Sequence, residues 1–517
     1  MSVRNILFIM VDQMRADCLG IAGNPLIQTP NLDSLAAKGA YFPNTYVQTA
    51  VCGPSRMCFY TGRYTHAHRS YWNDVPLPVD EATLATTLSA GGVRAVLCGK
   101  SHHVPDVVFR ERHGDALPLM RDAGFEPWEV NEFWGNRQPW GEDDANHWME
   151  NLRAKGYELP FDCPMLAAFL VDTPDGRKNG WRFENTRYPT VIQQQDSDTA
   201  YMTDRAIEFM EQSGDGPWLL HLSFVKPHWP NVAPAPYNSM YDPASLPSPT
   251  RAATELAAPH PLLDPFRRER RSIPFDDEKT WREMRATYYG LVSEIDTNLG
   301  RLFAYMADKE RFADTMIIFV SDHGEYLGDH WLFEKELFYE SAIRVPLIIF
   351  DPDRRADPWR GQVVEQFVES IDIMPTCLET LGLPIPACVQ GRSLLPLLRG
   401  CTPSDWRSEV FGDWDFRFYK AAKQLGLAAN CCRAWMVRDT RFKYVHFNGL
   451  PDLLFDLQAD PDELYNLAED PTMREVLYAY MTKLIDWRQS TEDNSRGAHV
   501  EERLGNQTLS WVPDHIE

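Results

Sequence analysis

Five short apolar runs punctuate the chain: NILFIMV (5–11), VRAVLC (93–98), WLLHLSFV (218–225), TMIIFV (315–320) and VPLIIF (345–350). Such nearly continuous runs predict strands buried on both faces, as in a parallel sheet. Between them the apolar spacing changes to three and four. TPNLDSLAAKGA (29–40), with Pro30 and Asn31 at its start, and ATYYGLVSEIDTNLGRLFAYMADK (286–309) predict helices. Strand–helix alternation predicts an α/β fold with a doubly wound, mostly parallel sheet. After about residue 375 the pattern changes. AWMVRD, RFKYVHF and DLLFDLQ predict short antiparallel strands, followed by a helix over 471–488. The expected organisation is a large α/β domain over 1–375 and a smaller C-terminal α+β domain over 376–517. The latter ends in a polar tail from Gln489 that carries Trp511, and both a subunit contact and a frayed terminus fit this tail.

Four of the predicted strands run directly into reactive side chains. They are followed by Asp12-Gln13, by Gly99-Lys100-Ser101-His102-His103, by Lys226-Pro227-His228 and by Ser321-Asp322-His323-Gly324. In open α/β sheets, ligands bind beyond the carboxyl ends of the strands. One such residue is usually a cap or loop residue, but four strands ending this way predict a site. Asp12 and Asp322 offer hard oxygens, His323 a nitrogen and Gln13 a neutral oxygen. That set suits Ca²⁺, Mg²⁺ or Mn²⁺, and the imidazole tilts it toward Mn²⁺ over Ca²⁺. Lys100 and Lys335 would hold oxyanion charge, while His102 and His228 can exchange protons near neutral pH.

Composition narrows the partners. The 517 residues carry a formal net charge of −23, so the overall field repels nucleic acid and an anionic substrate needs a local cluster of cations. The apolar run at Ile6–Val11 is too short for a signal-peptide core and ends in an acid, and no stretch approaches the roughly 20 apolar residues of a membrane span. The expected location is cytoplasmic. Ten cysteines without a CxxC pair suggest neither a disulfide framework nor structural zinc, and most of them read as small core residues. The aromatic-rich stretch EPWEVNEFWGNRQPW (126–140) fits either core or the lining of a pocket.

The stretch VCGPSRMCFYTGRY (51–64) is the most distinctive. Pro54 suits the first turn of a helix, which would put Cys52 just before it, where free N–H groups favour negative charge. An activated thiolate is one reading. A Cys-x5-Arg loop of the thiol-phosphatase kind would need arginine at position 58, which is Cys58. Arg56 would lie one turn on from Cys52, facing the same spot.

This stretch resembles the signature of the type I, formylglycine-dependent sulfatases of the alkaline phosphatase superfamily: Cys-x-Pro-Ser-Arg followed by Thr-Gly-Arg. NILFIMVDQ, GKSH, KPHWP, SDHGEYLGDHWLFEK, ESAIRVPLIIF and RFKYVHF…LLFDLQADPDELYNLAEDP also have counterparts there. In that family the cysteine is oxidised after translation to Cα-formylglycine, whose hydrate supplies the nucleophile. The resemblance implies a metal bound by Asp12, Gln13, Asp322, His323 and the residue made from Cys52, with Mn²⁺ or Ca²⁺ ahead of Mg²⁺. It implies that Arg56 holds the diol, that Lys100, His228 and Lys335 bind the sulfuryl group, that His102 is a base and that Asn73 contacts substrate. Gln13 and His323 depart from the commoner aspartate and asparagine, and match the subgroup with phosphonate monoester hydrolases and choline sulfatases. Lys100 and His102 match sulfatases where phosphonate hydrolases differ. The expected partners are therefore a small sulfate or phosphonate ester and, transiently, the formylglycine-generating enzyme. A homo-oligomer, dimer or tetramer, is expected too. Arylsulfatase activity leads, with phosphonate monoester or phosphodiester hydrolysis, choline sulfatase and a non-catalytic anion-binding relative as the alternatives.

Overall fold

A computed structural model describes residues 3–104, 112, 122–131, 147–161, 163–257 and 259–492. Its main sheet contains strands β1 (Asn5–Asp12), β2 (Ala40–Tyr41), β3 (Arg94–Gly99), β4 (Glu126–Val130), β5 (Trp218–Pro227), β6 (Thr315–Ser321), β7 (Leu347–Phe350) and β8 (Gln362–Val363). The order across the sheet is β8-β2-β7-β6-β1-β5-β3-β4. β6, β1, β5, β3 and β4 run parallel, with Ile6 beside both Leu219 and Met316.

The continuous apolar runs have the physical meaning expected of them. Along β1, Ile6, Phe8 and Met10 enter one core while Leu7, Ile9 and Val11 enter the other. Helices α1 (Pro30–Lys38), α3 (Asp198–Gln212) and α4 (Glu278–Asp308) cover the second face. Helices α2 (Cys52–Thr61) and α5 (Ile373–Thr380) cover the first. The sheet is doubly wound. α4 begins two turns before the expected start, because the Asp277 side chain caps it by accepting from the Thr280 N–H and its first turns are largely polar.

A four-stranded antiparallel sheet follows, with β9 (Val410–Asp415), β10 (Arg433–Arg438), β11 (Phe442–Phe447) and β12 (Leu453–Asp456). One face, with Ala434 and Met436, packs on the main core. The other, with Val437 and Tyr444, is covered by Tyr480, Leu484 and Trp487 of α6 (Arg474–Ser490).

One expectation needs correction. The run 345–350 is not one parallel strand. Pro346 has no N–H to donate to a ladder, so Val345 pairs with Thr45 in a separate small sheet, and β7 then lies antiparallel to β6. Trp128 belongs to strand β4 and packs against Phe209 of α3, with its indole N–H donating to the Arg205 carbonyl. This residue bears out the core reading of that stretch. Residues 132–140 of that aromatic stretch, and Trp511, lie outside the described residues. No helix among the described residues is long and apolar enough to cross a membrane.

Gly99 ends β3 with φ at +117°, and a Cβ there would lie 1.9 Å from the Ser223 carbonyl oxygen. Gly92 also has positive φ, at +77°, but nothing within 4 Å. Gly99→Ala should therefore cost about 2–4 kcal/mol and Gly92→Ala about 1 kcal/mol. Denaturant titration of both variants checks this, and equal losses would show that the close approach to β5 is not limiting.

Candidate active site

Four strands that are neighbours in the sheet, β6, β1, β5 and β3, deliver the residues singled out at their carboxyl ends. α2 closes over them. Val51 is extended, and Cys52, Gly53 and Pro54 form the first helical turn, so Cys52 opens the helix rather than preceding it. Pro54 loses no hydrogen bond there, since the N–H groups of a first turn have no intrahelical partner. The Gly53 N–H instead donates to Asn73 Oδ1 at 2.9 Å, which ties the start of the helix to the loop carrying Asn73.

Arg56, wholly buried, reaches three of these strands at their carboxyl ends and β5 at Ser223, within the strand. Its Nε donates to Asp322 Oδ2 at 2.8 Å and its Nη2 lies 3.5 Å from Asp12 Oδ2. Its Nη1 donates to the Lys100 carbonyl and to Ser223 Oγ, both at 2.8 Å. Lys100 Nζ also pairs with Asp12 Oδ2. The cations thus occupy the outer carboxylate oxygens. The inner ones, Asp12 Oδ1 and Asp322 Oδ1, lie 3.5 and 3.6 Å from His323 Nε2. His323 Nδ1 donates to the Gly324 carbonyl at 2.9 Å, which leaves the Nε2 lone pair facing those oxygens. Cys52 Sγ is 3.1 Å from that nitrogen and 3.7 Å from Asp12 Oδ1. One donor atom from each of Asp12, Cys52, Asp322 and His323 lies within 4.8 Å of the others, all buried. Two carboxylate oxygens and an imidazole lone pair turned toward one another repel unless a cation or proton lies between them. The donor set therefore fits a divalent cation.

On the other side of Cys52, Lys335 Nζ donates to Cys52 Sγ at 3.1 Å, to Gln13 Oε1 at 3.0 Å and to His228 Nε2 at 2.7 Å. His228 Nδ1 donates to the Trp229 carbonyl at 2.6 Å, which fixes the tautomer. Gln13 is oriented from behind, its amide nitrogen donating to Glu325. Gln13 and His102 hold φ of 70° and 54°, left-handed conformations that cost on the order of 1 kcal/mol or more outside glycine.

Electrostatics sort these groups. Burial alone would raise the Asp12 carboxyl, but Lys100, His228, Arg56 and Lys335 hold it well below the ordinary range. Burial opposes the charge on Lys335, and Cys52, Asp12 and Glu334 overcome it to raise that ammonium above its usual value. Burial pushes the His102 imidazole well down, and Lys100 and Arg56 add to the effect, so His102 is a neutral base. Burial lowers His323 as well, against the pull of Asp322 and Asp12. Glu325 is pushed up to about 7 by burial.

Cys52, Asn73, Lys100, His102, His228 and Lys335 all line one cleft of about 940 Å³. Two residues from the strand ends do not. Lys226 Nζ turns away to Asp198 and Glu294, at 2.8 and 3.0 Å. His103 is buried outside the cleft, and burial pushes it down to about 4. Sequence reasoning missed Ser223 and Glu325, which steady Arg56 and Gln13. It also missed the cleft walls contributed by residues 264–271 and 418–424. The basic run RRERR (267–271) in so acidic a chain was the available signal.

Comparison with known proteins agrees with this architecture. The family model described as Sulfatase matches residues 4–383, and one described as N-sulphoglucosamine sulphohydrolase, C-terminal, matches residues 328–490. The multifunctional alkaline phosphatase superfamily protein PehA of Trinickia caryophylli is 36% identical over 530 residues, covering 96% of this chain and 97% of that protein. An arylsulfatase of Clostridium perfringens is 29% identical, covering 93% of each. The solved structure of the phosphonate monoester hydrolase SpPMH from Silicibacter pomeroyi superposes with a TM-score of 0.85 at 34% identity over 96% of both chains. With a match over most of its length and a relative this similar end to end, the chain belongs to the sulfatase family.

Proposed function

We propose that the protein hydrolyses sulfate monoesters, aryl sulfates foremost, with residue 52 as nucleophile after oxidation of Cys52 to formylglycine. The observation that carries this reading is the position of Cys52: first residue of a buried helix, lining the cleft, with Asp12, His323 and Lys335 all within 3.7 Å of its sulfur. A thiol so placed is a precursor in the family's signature.

A divalent cation held by Asp12, Asp322 and His323 would draw charge from the ester oxygens, and the mixed oxygen and nitrogen donors favour Mn²⁺. The chain's own groups supply the rest. Lys100 and Lys335 bind the sulfuryl oxygens. One hydroxyl oxygen of hydrated residue 52 gives its proton to the adjacent Asp12 carboxylate and attacks sulfur, the bond from sulfur to the leaving oxygen breaks, and the Lys335–His228 pair delivers a proton to that oxygen. A sulfate ester of residue 52 remains. His102 then takes the proton of the second hydroxyl, the C=O bond forms, and the C–O bond to sulfate breaks. Addition of water to the aldehyde restores the diol.

A second reading, phosphonate monoester hydrolysis, is supported by the likeness to SpPMH and uses the same groups on phosphorus. Lys100 and His102, the pair that resembles sulfatases, put sulfate first.

Peptide mass spectrometry of active protein should find the Cys52 peptide lighter by about 18 Da, the change from thiol to aldehyde. Full activity with unmodified Cys52 refutes the nucleophile.

Asp322→Asn removes the nearer carboxylate of Arg56 and leaves it to share Asp12 with Lys100, a loss of about 3–5 kcal/mol, and should remove both metal and rate. Elemental analysis that finds metal unchanged overturns the ligand assignment.

On paired aryl esters, kcat/KM should be higher for sulfate than for phosphonate, and the reverse order hands the function to the second reading. His102→Ala should give a burst of phenol followed by turnover slowed about 10²–10⁴-fold. Normal turnover without a burst makes His102 a loop residue.

A further inference from the structure

We propose that the mouth of the cleft is a subsite for an anionic group carried by an aromatic leaving group, with Trp72, Phe418 and Tyr419 as the aromatic wall and Arg270 and Lys420 as the anion receptors. This deepens the ester-hydrolase reading and rests on it.

The wall is built next to the chemistry. Trp72 adjoins Asn73, which holds the Gly53 N–H beside residue 52. The Trp72 ring stacks on Phe418, with centroids 5.4 Å apart and planes at 22°, and meets Tyr419 edge-on at 4.7 Å and 84°. Tyr419 is fixed by its hydroxyl, which donates to Glu336 Oε1 at 3.0 Å. Phe418 remains 45% exposed, a large apolar ring at the edge of an open cleft. Rings at such positions gain most when a flat apolar ligand covers them.

Formal charges beyond the wall balance once Glu336, 3.4 Å from Arg271, is counted, but their pairing is uneven. Asp264 pairs with Arg268 at 3.0 Å, and Arg271 is held by Glu269 and Glu334, each at 2.8 Å. Arg270 and Lys420 also line the cleft and are exposed, and among the described residues neither has an ion-pair partner. Two exposed cations without an ion-pair partner among the described residues, at the entrance to an anion-handling site, offer a second, short-range point of anion contact. They also separate two kinds of ligand that an aromatic wall accepts. A quaternary ammonium group would stack there but be repelled by both cations. A carboxylate or sulfonate on an aryl group would be drawn in. The volume, about 940 Å³, leaves room for more than a single ring beyond the ester group.

The test compares the sulfate ester of 4′-carboxy-4-hydroxybiphenyl with that of its carboxamide. Wild-type enzyme should prefer the carboxylate about three- to tenfold in kcat/KM, chiefly through KM, and added salt should shrink the preference. Arg270→Ala combined with Lys420→Ala should bring the ratio close to one. No preference in the wild type, or a preference that survives the double substitution, overturns the proposal. Calorimetric binding of the two free phenols to the same proteins reads the subsite without turnover. Tighter binding of the carboxylated phenol, lost in the double variant, supports the subsite even if neither ester is hydrolysed, in which case only the ester reading fails. Equal binding overturns the subsite while leaving hydrolysis intact.

Discussion

The buried guanidinium of Arg56 is the contact on which the site depends. It joins the carboxyl ends of β6, β1 and β3, through Asp322, Asp12 and the Lys100 carbonyl, to Ser223 within β5. An unmatched charge in the interior costs several kcal/mol, so three strand ends, β5 and one helix are held at a common point by the requirement that this cation be neutralised. The rigid fork of arginine makes the geometry directional, and a lysine at position 56 could not span the same partners. The same contact sets the chemistry. By taking the outer carboxylate oxygens, Arg56 and Lys100 leave the inner oxygens of Asp12 and Asp322 turned toward His323 and Cys52.

Much of this was legible in the chain. The apolar runs located four of the five contiguous parallel strands β6, β1, β5, β3 and β4, and reading past their ends found Asp12, Lys100, His102, His228, Asp322 and His323, because a parallel sheet presents its carboxyl ends on one edge. The helical spacing from Cys52 to Arg56 followed from Pro54. What was not legible has physical causes. Lys335 lies in a loop, where neither periodicity nor a strand end marks its place in the site. Glu325 and Ser223 act through other residues, and nothing local distinguishes them from capping groups. β4 contains Pro127 and two glutamates, so its composition argues against a strand, while Lys226 shows that a side chain at a strand end can leave the site for buried partners of its own.

The two sides of the cleft are electrostatically different. Around residue 52, Asp12 and Asp322 hold Arg56 and Lys100, while Lys335 meets Gln13, Cys52 and His228 rather than a carboxylate, so directed bonds fix the geometry. Toward solvent the pairing is incomplete. A site arranged in this way recognises a small oxyanion by shape and directed bonds in its interior, and gathers charged ligands at its entrance, where the field extends into water.

The order of strands also bears on how the chain is made. β1 is almost wholly apolar, yet its partners β5 and β6 begin at residues 218 and 315. At ordinary rates of synthesis, on the order of 5–20 residues per second, β1 waits tens of seconds before its second neighbour emerges. Throughout that interval an aggregation-prone segment needs shelter, and folding is slowed by the length of chain between partners. The same delay keeps the segment around Cys52, 1% exposed once folded, open to any enzyme that must reach it. The topology thus creates a period, during translation, in which residue 52 can be chemically altered before the sheet closes over it.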